Sequence, residues 1–245
     1  MMLSRLHNHP FSVKAHFQHS LVLTYAVPLA ELASKIPANL QFDQHDAETA
    51  FVAAAFVSVK QLRPAFFPTF LGNDFILAGY RVFVKYSTSQ GKRLRGLYIL
   101  GSETSSKKMM RLGSLFTQYS YSLSDLSIAE SEGVLTVSAA DNNLLVRAKI
   151  NEDGVQLPSS SPFGNWKEAR RFAGPLPFTF TNLGNKEVLI VEGVRQNWQP
   201  QPVTILEENV PFIQTRFSAK TRLASAFLVS NIPYRWKRGV IDKKP

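Results

Sequence analysis

Residues Gly91 to Tyr121 read GKRLRGLYILGSETSSKKMMRLGSLFTQYSY. The apolar run Leu97, Ile99 and Leu100 is a strand in period and composition, and it anchors this stretch in a sheet. Ser102, Thr104, Ser105 and Ser106 follow and offer side-chain oxygens to free amide groups, so a helix is expected to start between Thr104 and Ser106. On a helical wheel Met109, Leu112, Leu115 and Phe116 form one apolar face. Lys108 falls on the side of Leu112, and Lys107 points away beside Arg111. Two cations at a helix N-terminus oppose its positive partial charge. The misfit is either tolerated in water or put to chemical use.

The neighbouring segments extend the sheet. Phe75 to Ser87 alternates, with Tyr80, Val82, Val84 and Tyr86 against Arg81, Phe83 and Lys85, and the turn at Ser89 to Gly91 makes it a hairpin with the strand above. Upstream, His16 to Val27 reads as a strand, Pro28 to Ile36 as a short helix stopped by Pro37, Leu40 to Phe42 as a short strand and Phe51 to Leu62 as a strand buried on both faces or a bulged one. Between them and the hairpin, Pro64 to Asp74 is a proline-bounded loop carrying Phe66, Phe67, Phe70 and Leu71. Such a loop covers a cavity mouth, a partner, a membrane surface or its own sheet.

Downstream, Tyr119 to Glu130, Val134 to Ala140 and Leu144 to Ile150 read as a meander. Trp166 to Ala173 reads as one or two helical turns, and Phe178 to Thr181, Val188 to Trp198 and Val203 to Glu208 as strands. A short helix over Asn209 to Phe217 and a last strand, Leu223 to Ile232, complete the chain. The class is mainly β (α+β), an antiparallel barrel or sandwich with a few short helices.

Composition narrows the functions. The 245 residues contain 18 phenylalanines and no cysteine, which favours an aromatic-rich interior and excludes disulfides, thiolate metal sites and a cysteine nucleophile. No linker divides the sequence, so residues 1–245 are expected to form one domain, with a frayed basic tail at about 235–245 that holds Arg235, Lys237, Arg238, Lys243 and Lys244. No stretch has the form of a signal peptide or the length of a membrane span, and a cytoplasmic location is the default expectation. The formal charge of +10 suits nucleic acid, an anionic membrane or acidic substrates, or simply a basic surface. His16 and His19 are three apart on a strand and face opposite sides. No cofactor or metal site is expected.

Several motifs then coincide. They are Val-Pro-x-x-x-Leu-x-x-x-Ile-Pro-x-x-Leu at Val27 to Leu40, Leu-Arg-Pro at Leu62 to Pro64, Tyr-Arg-Val-Phe-Val at Tyr80 to Val84, and Leu-Tyr-Ile-Leu-Gly-Ser-Glu-Thr-Ser at Leu97 to Ser105. Their order resembles the DUF2071 family within the acetoacetate decarboxylase-like superfamily. The resemblance implies a cone-shaped, mostly antiparallel β barrel around a small cavity. In true decarboxylases of that superfamily a lysine forms a Schiff base with a β-keto acid, which requires a neutral amine beside a like charge and out of water.

Carried onto this sequence, the resemblance gives Lys108 as the nucleophile, Lys107 as its cationic neighbour and Glu103 as a cavity carboxylate. Arg81 is expected to pair with a substrate carboxylate. Phe83 and Tyr98 complete the expected substrate contacts. Lys107 follows Glu103 by four residues, closer than in the decarboxylase pattern.

Three readings stay open: keto-acid lyase chemistry, non-catalytic binding of a small ligand on the same scaffold, and, third, nucleic-acid binding through basic and aromatic residues such as Tyr80 to Tyr86. A small molecule is the expected partner, and a homo-oligomer is left open.

Overall fold

The computed structural model describes residues 6–173 and 176–244. Its main feature is a hydrogen-bonded ring of seven strands. β1 (Val13–Pro28) pairs with β3 (Thr49–Pro64), β3 with β4 (Asn73–Ser87), and β4 with β5 (Arg93–Thr104), all antiparallel. β5 then pairs in parallel with β10 (Phe178–Gly184), which returns antiparallel to β11 (Glu187–Arg195). β14 (Arg222–Trp236) runs along β1 and also meets β11, at Gly193 opposite Trp236 and Arg195 opposite Tyr234, and this closes the ring. Closure gives every ring strand two partners.

Shorter strands extend the sheet. β2 (Gln41–Phe42) pairs with β4, β6 (Tyr121–Leu123) with β5, and β12 (Gln201–Pro202) with β14. A second, antiparallel sheet is built from β7 (Ser127–Ser131), β8 (Val134–Ala139), β9 (Leu144–Lys149) and β13 (Thr204–Asn209). The helices are short: α1 (Leu29–Leu32), α2 (Lys107–Phe116), α3 (Trp166–Ala173) and α4 (Pro211–Gln214).

Strand alternation sorts the ring residues onto two faces. Leu21, Leu23, Val52, Phe56, Tyr80 and Val82 pack outward with Leu135, Val137 and Val146 of the second sheet. The opposite parity, including Val22, Phe51, Ala53, Ala55 and Phe83, faces inward. One end of the interior is filled by aromatics, where Phe163 stacks on Phe51 at 5.2 Å and Phe172 of α3 lies 5.0 Å from it. α2 lies toward the other end and contributes Met109 to the inner cluster.

The main differences between sequence and structure are the following. The helix expected over Pro28 to Ile36 is regular only over Leu29–Leu32. The strand expected from Tyr119 to Glu130 is two, β6 on the ring and β7 in the second sheet. The face of α2 that packs is Met109, Gly113 and Phe116, since a Cβ on Gly113 would lie 2.6 Å from the Tyr121 ring; Leu112 and Leu115 stay exposed. The C-terminal segment is paired where fraying was expected. β15 (Val240–Lys243) hydrogen-bonds to β11, Lys237 and Lys243 pair with Glu192 and Glu187 at 2.9 and 3.0 Å, and the Asp242 carboxylate accepts from the Tyr86 hydroxyl at 2.6 Å.

Candidate functional site

The interior of the ring carries a polar cluster around Arg81. Gly79, Arg81 and Phe83 share the inward face of β4; Gly79 and Arg81 stand opposite Ala55 and Ala53 of β3, and the Phe83 ring lies 6.3 Å from that of Phe51. The small neighbours leave the guanidinium room: a Cβ built on Gly79 would sit 2.8 Å from Arg81 Nη2. Three tyrosines act electrostatically on Arg81: Tyr234 of β14, Tyr121 of β6, and Tyr119 just before β6. Arg195 of β11 faces the same space, next to Tyr234 and within range of Arg81. Its guanidinium lies 4.6 Å from the Trp198 ring and 5.6 Å from the Tyr234 ring. β11 and β14 are paired neighbours at this point, and β4 reaches them only across the inside of the ring.

Burial dominates the electrostatics. It lowers the pKa of both arginines, against the opposite pull of the tyrosines, and proximity to Arg81 lowers Arg195 further. Burial raises Tyr119, and it raises Tyr121 to about 12 against the lowering effect of Arg81. Among the described residues no carboxylate acts on either arginine. Among the described residues Arg81 makes no hydrogen bond or ion pair to protein, and Nη2 of Arg195 is buried without a partner.

Other polar atoms around this interior are unspent as well. Oγ1 of Thr24 and Oγ of Ser225 are buried and unpartnered, and these residues lie in the cross-strand row that runs through Ala53 to Arg81. Nε1 of Trp198 and Nε2 of His9 are likewise unpartnered, with the His9 ring 5.7 Å from that of Tyr119. Arg81, Tyr119, Tyr121, Arg195 and Tyr234 nevertheless retain some accessible surface, so they border space that protein atoms do not fill. The opposite pattern holds nearer α3. There buried Asp43 meets Lys85 Nζ at 2.8 Å and Arg95 Nη2 at 2.6 Å, and those cations are compensated.

The residues singled out from sequence separate. Arg81 and Phe83 face inward. Tyr98 pairs with Val82 and packs on the outer face, so it is removed from the interior by strand parity. Glu103 also faces outward, opposite Ala78, where Asn142 Nδ2 donates to it at 3.3 Å and Tyr80 also bonds to it. Burial raises its pKa, and Asp141 adds to the rise. Lys107 and Lys108 stand exposed in the first turn of α2, whose N-terminus is capped by Ser106 accepting from the Met109 amide at 3.2 Å. The quoted stretch therefore does not bring Lys108, Lys107 and Glu103 together inside the ring. The Tyr80 to Tyr86 alternation puts Arg81, Phe83 and Lys85 on the inward-facing parity of β4.

Tyr119, Tyr121, Arg195 and Tyr234 escaped the sequence reading. The first two end the stretch that opened it, two residues apart. The others come from strands more than seventy residues further on, and only ring closure places them beside Arg81.

The family model of DUF2071, described as an uncharacterized conserved protein, matches residues 14–217. The chain belongs to the DUF2071 family. No curated protein matches its sequence. Among solved structures it is similar to an acetoacetate decarboxylase from Legionella pneumophila subsp. pneumophila str. Philadelphia 1, at a TM-score of 0.61 and 10% identity, over 93% of this chain and 86% of that one. An acetoacetate decarboxylase-like enzyme from Sphingomonas wittichii RW1 matches at 0.60 and 12% identity, over 96% and 94%. The enduracididine biosynthesis enzyme MppR, in complex with pyruvate, matches at 0.54 and 7% identity, over 95% and 90%. At these identities the likeness establishes the acetoacetate decarboxylase-like fold of this DUF2071 chain and leaves its chemistry to its own residues.

Proposed function

We propose that this DUF2071 protein binds a small carboxylate-bearing metabolite inside its barrel, with Arg81 and Arg195 receiving the carboxylate and the hydroxyls of Tyr119, Tyr121 and Tyr234 completing its shell. The observation that carries this reading is the pair of inward arginines with no acidic partner among the described residues. A buried, unpaired charge costs several kcal/mol, so such a pair is kept where an anion arrives to neutralise it. A guanidinium matches a carboxylate geometrically as well as electrically. Phe83 borders the same interior from β4. Residues 1–245 are taken as one domain, since the ring draws strands from both ends of the chain.

Keto acids are the first ligands to try, because pyruvate is the molecule named with the structurally similar MppR. The Schiff-base version is set aside for Lys108 and Lys107: both are exposed, and the dry environment that a neutral amine needs is lacking there. Binding without covalent chemistry is therefore the preferred form. Calorimetric titration with pyruvate and acetoacetate tests it. Binding that Arg81→Gln weakens at least about tenfold supports the reading. Binding indifferent to Arg81 and Arg195 overturns it.

A further inference from the structure

The loop between β3 and β4 is apolar, exposed and firmly held. Phe66, Phe67, Phe70 and Leu71 are 70%, 44%, 84% and 48% exposed. The loop is nonetheless tied down. Arg63 donates to the Phe67 carbonyl, the Gln61 carbonyl and the Thr69 hydroxyl, and the Ala65 amide donates to the Ser12 carbonyl. Gly72 passes so near the Gln61 backbone that a Cβ there would lie 2.6 Å from the Gln61 Cα. The phenylalanines are thus presented to solvent by a fixed support.

Cations surround this patch. Lys14 on β1 is directly opposite Arg235 on β14 and Arg63 on β3, a row of three like charges across adjacent strands at the root of the loop. Directly opposed like charges are destabilising, and among the described residues none of the three has an ion-pair partner. The patch continues onto α2. Phe66 meets Phe11 at 5.9 Å, and Phe11 meets Phe116 of α2 at 5.2 Å. α2 adds exposed Lys107, Lys108 and Arg111 beside exposed Leu112 and Leu115.

We propose that this face, the Phe66–Leu71 loop with its flanking cations, docks the protein on the surface of an anionic lipid bilayer. Phenylalanines at that exposure enter the boundary between headgroups and acyl chains, while the cations meet lipid phosphates. Charge selects this occupant over a second copy. A symmetric pairing through the loop would set the same cations against one another, on chains that each carry a formal +10.

The test is sedimentation of the full chain with vesicles of phosphatidylcholine alone and of phosphatidylcholine mixed with phosphatidylglycerol. Binding is expected to the mixed vesicles only. The pair Phe66→Ser with Phe70→Ser and the pair Lys14→Gln with Arg235→Gln are each expected to weaken it at least about tenfold, with far-UV circular dichroism unchanged. Phe70→Ser alone, at a position with no ring contact among the described residues, serves if either pair perturbs the fold. No binding to the mixed vesicles overturns the proposal, as does binding that either pair leaves unaltered. A dimer dissolved by the phenylalanine substitutions in a protein that ignores vesicles would assign the face to self-association instead.

Discussion

Arg81 occupies space that Gly79 leaves empty: a Cβ on Gly79 would lie 2.8 Å from Nη2 and 3.0 Å from Nε of the guanidinium two residues along the same strand. The glycine is extended, so its role is room rather than backbone freedom. Gly193 relates to Tyr234 in the same way, for a Cβ there would collide with the tyrosine hydroxyl. Two absent side chains thus shape the polar interior.

Gly79→Ala is expected to keep stability within about 1 kcal/mol of the parent, because the end of a flexible arginine can shift, while carboxylate affinity drops at least about tenfold with the displaced guanidinium. Gly193→Ala is expected to destabilise by about 1–3 kcal/mol, since the Tyr234 ring is stacked 4.6 Å from Phe17 and packed 4.4 Å from Trp236. Urea unfolding and calorimetric titration separate the two effects.

Asp43 sets the contrasting case. It is the buried carboxylate shared by Lys85 and Arg95. Asp43→Asn leaves two cations at the α3 end without their counter-charge. Because both cations are more than a third exposed and water can partly replace the carboxylate, the expected loss is about 2 kcal/mol rather than the full value for a buried pair. Urea denaturation reads it directly.

His9 predicts a pH dependence. Burial lowers its imidazole to about 4, whereas an unfolded histidine titrates near 6.5. Between those values the unfolded chain binds the proton and the folded chain does not, so the His9 contribution is present above about pH 6.5 and is lost as pH falls toward 4. It amounts to about 3 kcal/mol. His9→Asn removes the titration and suits the left-handed backbone at φ 48°. The difference in unfolding free energy between parent and variant should therefore change with pH in this window. A constant difference would mean His9 is not the group responsible.

Borohydride reduction in the presence of acetoacetate is expected to leave Lys107 and Lys108 no more modified than other exposed lysines. Selective adduct formation at Lys108, read by peptide mass spectrometry, would restore the catalytic assignment that the exposed geometry argues against.

The sequence carried the hairpin of β4 and β5, the N-cap region of α2 and the shared face of Arg81 and Phe83, because alternation and hydroxyl caps are local signals. It did not carry the fate of Tyr98 and Glu103. The register shift between Tyr80 and Arg81 lets two β5 residues pass for one step on β4, so parity counted along β5 alone does not reveal which of its side chains face inward. Gly113 hid the packed face of α2, since an apolar wheel gives weight to Leu112 and Leu115 and none to a glycine that admits Tyr121. Charge count made the C-terminus look like a tail. The acceptors that order it, Glu187 and Glu192, and the donors Tyr86 and Ser89 that hold Asp242, lie far upstream.

Carboxylate binding inside the ring rests most on Arg81 being an uncompensated interior cation that awaits an anion. Replacing it with methionine should raise the unfolding free energy of the ligand-free protein by about 1 kcal/mol or more, because an apolar side chain relieves a buried charge. The decisive measurement is the melting temperature of parent and Arg81→Met with acetate, pyruvate and acetoacetate against chloride at equal ionic strength. Carboxylates are expected to raise it in the parent and leave it unmoved in the variant. Equal rises in both proteins, or a parent that responds to no carboxylate, would contradict it.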